Sequence, residues 1–213
     1  MKNARFDINF NAKSKKPSRV LDGLSTILFV FVLCVFFVFI AFSKVYTADQ
    51  ISGESMENTF FDSDIVYYKQ VKLSDLNYGD VVIIKTESKD IIKRVIGLSG
   101  DTIEMKKCDD EYFVFRNGIK LEEPYIKDKS GNKKKYEEFV LCFDGESTTV
   151  GQNQFFVLGD NRANSNDSAA RYGCFNANQI VGVVDYTVKA GRIPIVDLFI
   201  QLFLPVFYKV WRA

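Results

Sequence analysis

From Leu24 to Phe42 the chain reads LSTILFVFVLCVFFVFIAF, nineteen residues without a single charge. About 20 apolar residues in an α-helix cross the roughly 30 Å hydrocarbon core of a bilayer, so this run is expected to be a transmembrane helix. Residues 1–20, just before it, hold six basic residues (Lys2, Arg5, Lys13, Lys15, Lys16 and Arg19) against one acid, Asp7. Flanking positive charge is retained in the cytoplasm. Residues 1–22 are therefore expected as a cytoplasmic tail, 23–44 as the span, and everything after Lys44 outside the cell, in the plasma membrane of the cell. Ala41-Phe42-Ser43 has the small-x-small look of a processing site. A cleaved signal, however, carries an apolar region of only about 7 to 15 residues, so the run reads as an uncleaved anchor.

Over the whole chain 28 basic residues balance 27 acidic ones, leaving no field that would draw nucleic acid. Nine of the 20 phenylalanines lie in two apolar segments, one near each end, and point to membrane lipid as a partner. The second segment, IPIVDLFIQLFLPVFYKVWRA, sets Asp197 and Gln201 four apart, on one face of a helix. Residues 193–213 are thus expected as an amphipathic helix lying in the interface. A second span, which would carry Asp197 and Pro205 into lipid, and packing against the domain stand as alternatives.

Between these ends, short β-rich runs alternate with turn residues: DIVYYKQV, YGDVVIIKT, DIIKRVIGL, DTIEM, EYFVFRNGIKL, EEFVLCF, NQFFVLGD and QIVGVVDYTVKA. That spacing predicts a mainly β domain over 45–192, with a smaller β insertion over about 104–153. Asn117-Gly118 is the strongest hairpin signal, because a type I′ turn needs positive φ at both central positions. The polar, lysine-rich stretch after Tyr125 is expected as an exposed loop.

There is no histidine. That excludes His-based triads and HExxH zinc sites, and leaves Lys, Asp, Glu, Ser, Cys and Tyr for any chemistry. The four cysteines (Cys34, Cys108, Cys142, Cys174) show no CxxC spacing, so no zinc ribbon or redox motif is legible. Three lie outside the apolar run, with a Cys108–Cys142 bridge or free thiols as alternatives.

A serine hydrolase without histidine needs another base, and lysine serves if it is desolvated. In DIIKRVIGL, alternation puts Ile91, Lys93 and Val95 on one face and Ile92, Arg94 and Ile96 on the other. A guanidinium is effectively never deprotonated, so of the two only Lys93 is a candidate base. Ser55 lies in the polar segment QISGESMENTFFDSD about ten residues past the span, where it could sit on a turn with its N–H free for an oxyanion. Taken singly, it is equally a serine in a loop leaving the bilayer. The cluster VLGDNRANSNDSAARYG, dense in Asp, Asn, Ser and Arg after an apolar strand, suits a hydrogen-bonded loop bracing a site or a polar surface turn.

In order along the chain, SGESMENT, YGDVVIIK, KRVIGLSGD, RNGIKLEEPYI and GDNRANSNDS resemble the five boxes of the bacterial signal peptidase I family, peptidases with a Ser/Lys dyad. The resemblance implies that Ser55 is the nucleophile and Lys93 the general base of an acyl transfer that cleaves exported preproteins after small-x-small motifs, with no cofactor and no metal. It implies that Met56 packs near the dyad, that Ser165 hydrogen-bonds the lysine amine, and that Asp167 and an arginine, Arg171, brace the loop. Gly53 stands where some family members have a serine that donates to the oxyanion. Asn58 and Ser99 replace family prolines, and Asp167-Ser168-Ala169-Ala170-Arg171 carries two alanines more than the usual D-S-R. A self-cleaving repressor-type Ser/Lys peptidase and a non-enzymatic anchored receptor are the competing readings.

Overall fold

The computed structural model describes residues 19–108, 111–126 and 147–192, with the side chains of 19, 20, 107, 108 and 111 left out. The expected C-terminal amphipathic helix, the EEFVLCF strand, the lysine-rich loop and the Cys108–Cys142 pair lie outside the described residues or side chains. The chain divides into two units, residues 1–44 and residues 45–213.

Among the described residues the first unit holds one helix, α1 (Arg19–Val45). Its 27 residues rise about 40 Å. Within it, Leu21–Val45 is long and apolar enough to span a membrane, with a mean hydropathy of 3.0. Side chains such as Ile27, Phe29, Phe31 and Phe37 are exposed along its length, as suits a helix whose solvent is lipid.

The second unit is built from antiparallel strands: β1 (Thr47–Gln50), β2 (Ile65–Lys69), β3 (Val81–Lys85), β4 (Asp90–Leu98), β5 (Thr102–Cys108), β6 (Glu111–Arg116), β7 (Ile119–Lys120), β8 (Ser147–Thr149), β9 (Gln154–Leu158), β10 (Phe175–Asn176) and β11 (Ile180–Val188). Seven form one sheet in the order β1-β2-β11-β3-β4-β9-β10, and β7-β6-β5-β8 form a second. The fold is thus mainly β, as the alternation predicted. The runs that mark β2, β3, β4, β6 and β9 all become strands. The short β1, β8 and β10 carry too few alternating residues to announce themselves.

Asn117 and Gly118 take φ of 53° and 77° between Arg116 and Ile119, which pair across the turn. The Asn117 side chain donates to Asp101 Oδ1 and accepts from the Thr102 N–H, both at 2.8 Å, docking the hairpin onto the start of β5.

Three apolar clusters fill the domain. Leu76, Val82, Ile84, Ile91, Val95, Phe155, Val157, Phe175 and Val183 pack one face of the large sheet. Ile51, Met56, Phe60, Val66, Ile83 and Val184 pack beneath the segment that carries Ser55. The third joins the sheets, with Ile96, Phe156 and Leu158 from the large one meeting Ile103, Met105 and Val114 from the small one. Val95 and Ile96, adjacent in β4, point to opposite faces and so serve different clusters, and the register against β9 shifts between Val95 and Gly97.

Candidate active site

Lys93 sits mid-way along β4, paired with Val82 of β3 while β9 flanks the strand's second half. An interior strand holds its side chains more rigidly than a loop does. Lys93 is only 2% exposed. Its Nζ lies 2.7 Å from Ser55 Oγ and donates to the Ile92 carbonyl, also at 2.7 Å. Burial penalises the ammonium and lowers its pKa to about 8, the Asp167 carboxylate pulling the other way and the Lys89 charge lowering it further. A neutral amine in contact with a hydroxyl is thereby populated near neutral pH, which a solvated lysine could not achieve.

Ser55 is carried by a closed loop between β1 and β2. The Ile51 N–H donates to the Asp64 carbonyl at 2.8 Å, and Ser63 N–H to Ile51 O at 2.9 Å, cinching its ends. Within it, Thr59 and Phe60 N–H groups both donate to Met56 O, winding the residues after Ser55 into a turn. Met56 and Phe60, each 1% exposed, plug that turn into the core. Asp64 anchors the far end. Burial alone would raise its carboxyl, but bonds from Lys189 Nζ, Phe61 N–H and Ala190 N–H bring it below its ordinary value.

The polar cluster after β9 holds the nucleophile from the other side. Asn161 donates its N–H to the Ser55 carbonyl and its side-chain amide to the Glu54 carbonyl, both at 3.0 Å. Gly159 is obligatory here. A Cβ on it would lie 2.5 Å from the Ser55 carbonyl oxygen and 2.2 Å from Ser165 Oγ, closer than such atoms approach.

Ser55, Lys93, Gly53 and Arg171 line one cleft of about 410 Å³. Asp167 is fully buried, and its carboxylate accepts from the N–H groups of Gly159, Ala169 and Ala170 at 2.9, 3.1 and 3.2 Å. Two expectations, for Ser165 and Arg171, meet a different arrangement. Ser165 Oγ is buried without a hydrogen-bond partner, while the Lys93 amine meets Ser55 Oγ and the Ile92 carbonyl. Arg171 is exposed and away from the Asp167 carboxylate, whose oxygens are taken by backbone donors. Gly53, at φ 104°, spends its N–H on Asp62 Oδ1 at 2.9 Å and so offers none to an oxyanion. The Ser55 N–H has no acceptor among the described residues. Asn58 takes φ 91°, which a proline ring forbids, so the turn after Ser55 runs differently from one with proline at that position.

Sequence reasoning passed over the buried ion pairs behind the dyad. The Arg94 guanidinium grips Asp160 at 2.8 and 2.6 Å, with both side chains 2% exposed or less. It also lies 4.1 Å from the centre of the Tyr125 ring. Arg162, fully buried, donates to the Gly159 carbonyl and is held by both oxygens of Glu123. Glu123 and Tyr125 belong to the EEPY segment, whose motif was legible but whose partners were not.

A serine hydroxyl set against a buried lysine amine on a β scaffold is the arrangement of a serine hydrolase that works without histidine. Residues 24–189 match the family model described as signal peptidase, peptidase S26. Signal peptidase I of Bacillus amyloliquefaciens is 38% identical over 174 residues, 80% of this chain and 88% of that one. Signal peptidase I P of Bacillus subtilis subsp. natto is 38% identical over 180 residues, 82% of this chain and 91% of that one. A crystal structure of a signal peptidase I from Enterococcus faecalis V583 aligns with a TM-score of 0.42 at 28% identity, covering 52% of this chain and 97% of the other. The chain belongs to the signal peptidase family, peptidase S26, and is accordingly a hydrolase of the serine peptidase class.

Proposed function

We propose that this protein is a membrane-anchored endopeptidase that removes signal peptides from exported preproteins, with Ser55 as nucleophile and Lys93 as general base. The observation that carries this reading is the 2.7 Å contact between Ser55 Oγ and a lysine amine whose pKa burial lowers to about 8. Ser55 Oγ attacks the scissile carbonyl while the neutral Lys93 amine takes its proton. The tetrahedral oxyanion forms against the Ser55 N–H, which the turn leaves unspent. Lys93 then hands the proton to the leaving amine, and water repeats the sequence to release the acyl group. Ser165 Oγ, buried and unpaired, is free to receive a hydrogen bond from the amine as it turns from serine to leaving group. Asp167 holds the backbone of this loop and biases the charge on Lys93.

Cleavage follows small-x-small motifs in this reading, and α1 anchors the enzyme in the plasma membrane with its N-terminus in the cytoplasm and the catalytic domain outside. The apolar length of Leu21–Val45 supports the anchor, and the basic residues before it support the orientation. Enzyme and substrate then share one bilayer, so the search is two-dimensional.

Ser55→Ala and Lys93→Ala, each purified in detergent and incubated with one preprotein, test the mechanism. Both variants are expected to keep the fold and lose cleavage. Retained cleavage in either one removes the dyad, and retained preprotein binding as the sole activity of the unaltered chain favours an anchored receptor instead.

A further inference from the structure

The two extra alanines between Asp167 and Arg171 are accommodated in a single π turn, Ser168–Tyr172. The Asp167 carbonyl accepts the N–H groups of both Arg171 and Tyr172 at 3.0 Å, and the Ser168 carbonyl accepts that of Gly173 at 3.1 Å. Such turns are rare and gather at functional sites. The alanine amides take Oδ1 of the Asp167 carboxylate and the Gly159 N–H takes Oδ2, so both oxygens that could attract the guanidinium are bonded. Arg171 is instead carried outward to line the cleft that holds Ser55 and Lys93. Its guanidinium stands 5.6 Å from the Tyr172 ring and forms no ion pair among the described residues. Lys89, exposed and likewise without an ion pair there, lines the same cleft, and its charge is felt at Lys93.

We propose that Arg171 is a specificity-determining residue that receives an acidic side chain of the substrate at one position near the scissile bond. The proposal rests on reading the cleft as the substrate site. A guanidinium is always charged and presents a planar fork that matches a carboxylate, so a cleft that displays one unpaired selects for that group. The chemistry also requires a counter-charge there. A bare substrate carboxylate next to Lys93 would stabilise its ammonium and withdraw the base, whereas one neutralised by Arg171 and Lys89 would not. The preference is confined to one register, because Asp49 and Glu54 line the cleft as well and repel acid beside them. Asp49 is bonded by the Gln50 N–H and Glu54 by the Asn164 amide, so their charge stays in place.

The test is a set of peptides carrying one cleavage site, with a single Glu walked along the flanking residues and a Gln peptide as partner at each position. With the intact enzyme, the Glu/Gln ratio of kcat/KM is expected to reach about five at one position, the worth of a modest charge pair. Arg171→Ala should bring that ratio to near one, Arg171→Glu should invert it, and Arg171→Lys should restore part of it. A merely structural arginine would lower both members of each pair together and leave their ratio alone. The proposal is overturned if no position favours Glu, or if Arg171→Ala keeps the same ratio. Cleavage that survives in Ser55→Ala would instead overturn the reading of the site itself, so the two failures are distinct.

Discussion

Lys93 carries opposite demands in one side chain. As a base it must be neutral, and the burial that lowers its pKa to about 8 costs stability whenever it is charged. The activity follows directly: kcat/KM should climb about tenfold per pH unit on the acid side and level off above about pH 8, as a rate profile would record. The Asp167 charge favours the ammonium, so Asp167→Asn should move that acid limb to lower pH, even as the loss of one accepting oxygen weakens the loop. The sign for stability is the reverse of that for a salt-bridged lysine. The folded pKa lies below the unfolded one, so the unfolded chain binds more protons between about pH 8 and 10.5, and stability rises across that window. Lys93→Met should therefore abolish cleavage yet stabilise the fold at pH 7 by an amount on the order of 3 kcal/mol. Thermal melts should show that gain shrinking toward pH 10.5.

At the scale of elements, two loops that share no strand are made into one object by buried polar contacts. Asn161 holds the carbonyls on either side of the nucleophile's peptide link, so Asn161→Leu should lower kcat by up to about a hundredfold with little change in KM, the mark of a misplaced reacting atom. Glu123 reaches across from the segment that follows β7 to Arg162, both all but inaccessible to water. Glu123→Gln leaves a buried guanidinium uncompensated and should cost roughly 3–5 kcal/mol, read as a fall in the urea midpoint. Glu123→Gln with Arg162→Met should recover much of it, since removing both charges of a buried pair is far cheaper than removing one. These contacts explain why the EEPY motif belongs to the site although it contributes no atom to the cleft.

For the whole molecule, the three apolar clusters found among the described residues draw on residues from Ile51 to Val184 and on none of α1. A fragment beginning at Val45 should therefore fold and cut a short soluble peptide with a kcat/KM near that of the full chain. Against a preprotein in vesicles the same fragment should be much slower, because the anchor raises the effective concentration of enzyme at its substrate. Comparing the two substrates in one assay separates the contribution of the site from that of the bilayer.

The apolar run, the mainly β domain, the Asn117-Gly118 hairpin and, through the absence of histidine, the restriction of a serine's base to an amine could all be read before any fold was known. These are local or compositional properties: periodicity, turn stereochemistry and a missing residue type are written along the chain. Alternation placed Lys93 and Arg94 on opposite faces but left both as basic residues among β-branched neighbours. It takes the folded chain to show that one of them meets a hydroxyl 38 residues away while the other is locked to Asp160. The lowered pKa of Lys93, the spent N–H of Gly53, the clamp of Asn161 and the outward turn of Arg171 arise the same way. Each depends on which atoms of distant segments exclude water from one another or occupy one another's bonding sites, and that is settled by packing rather than by spacing.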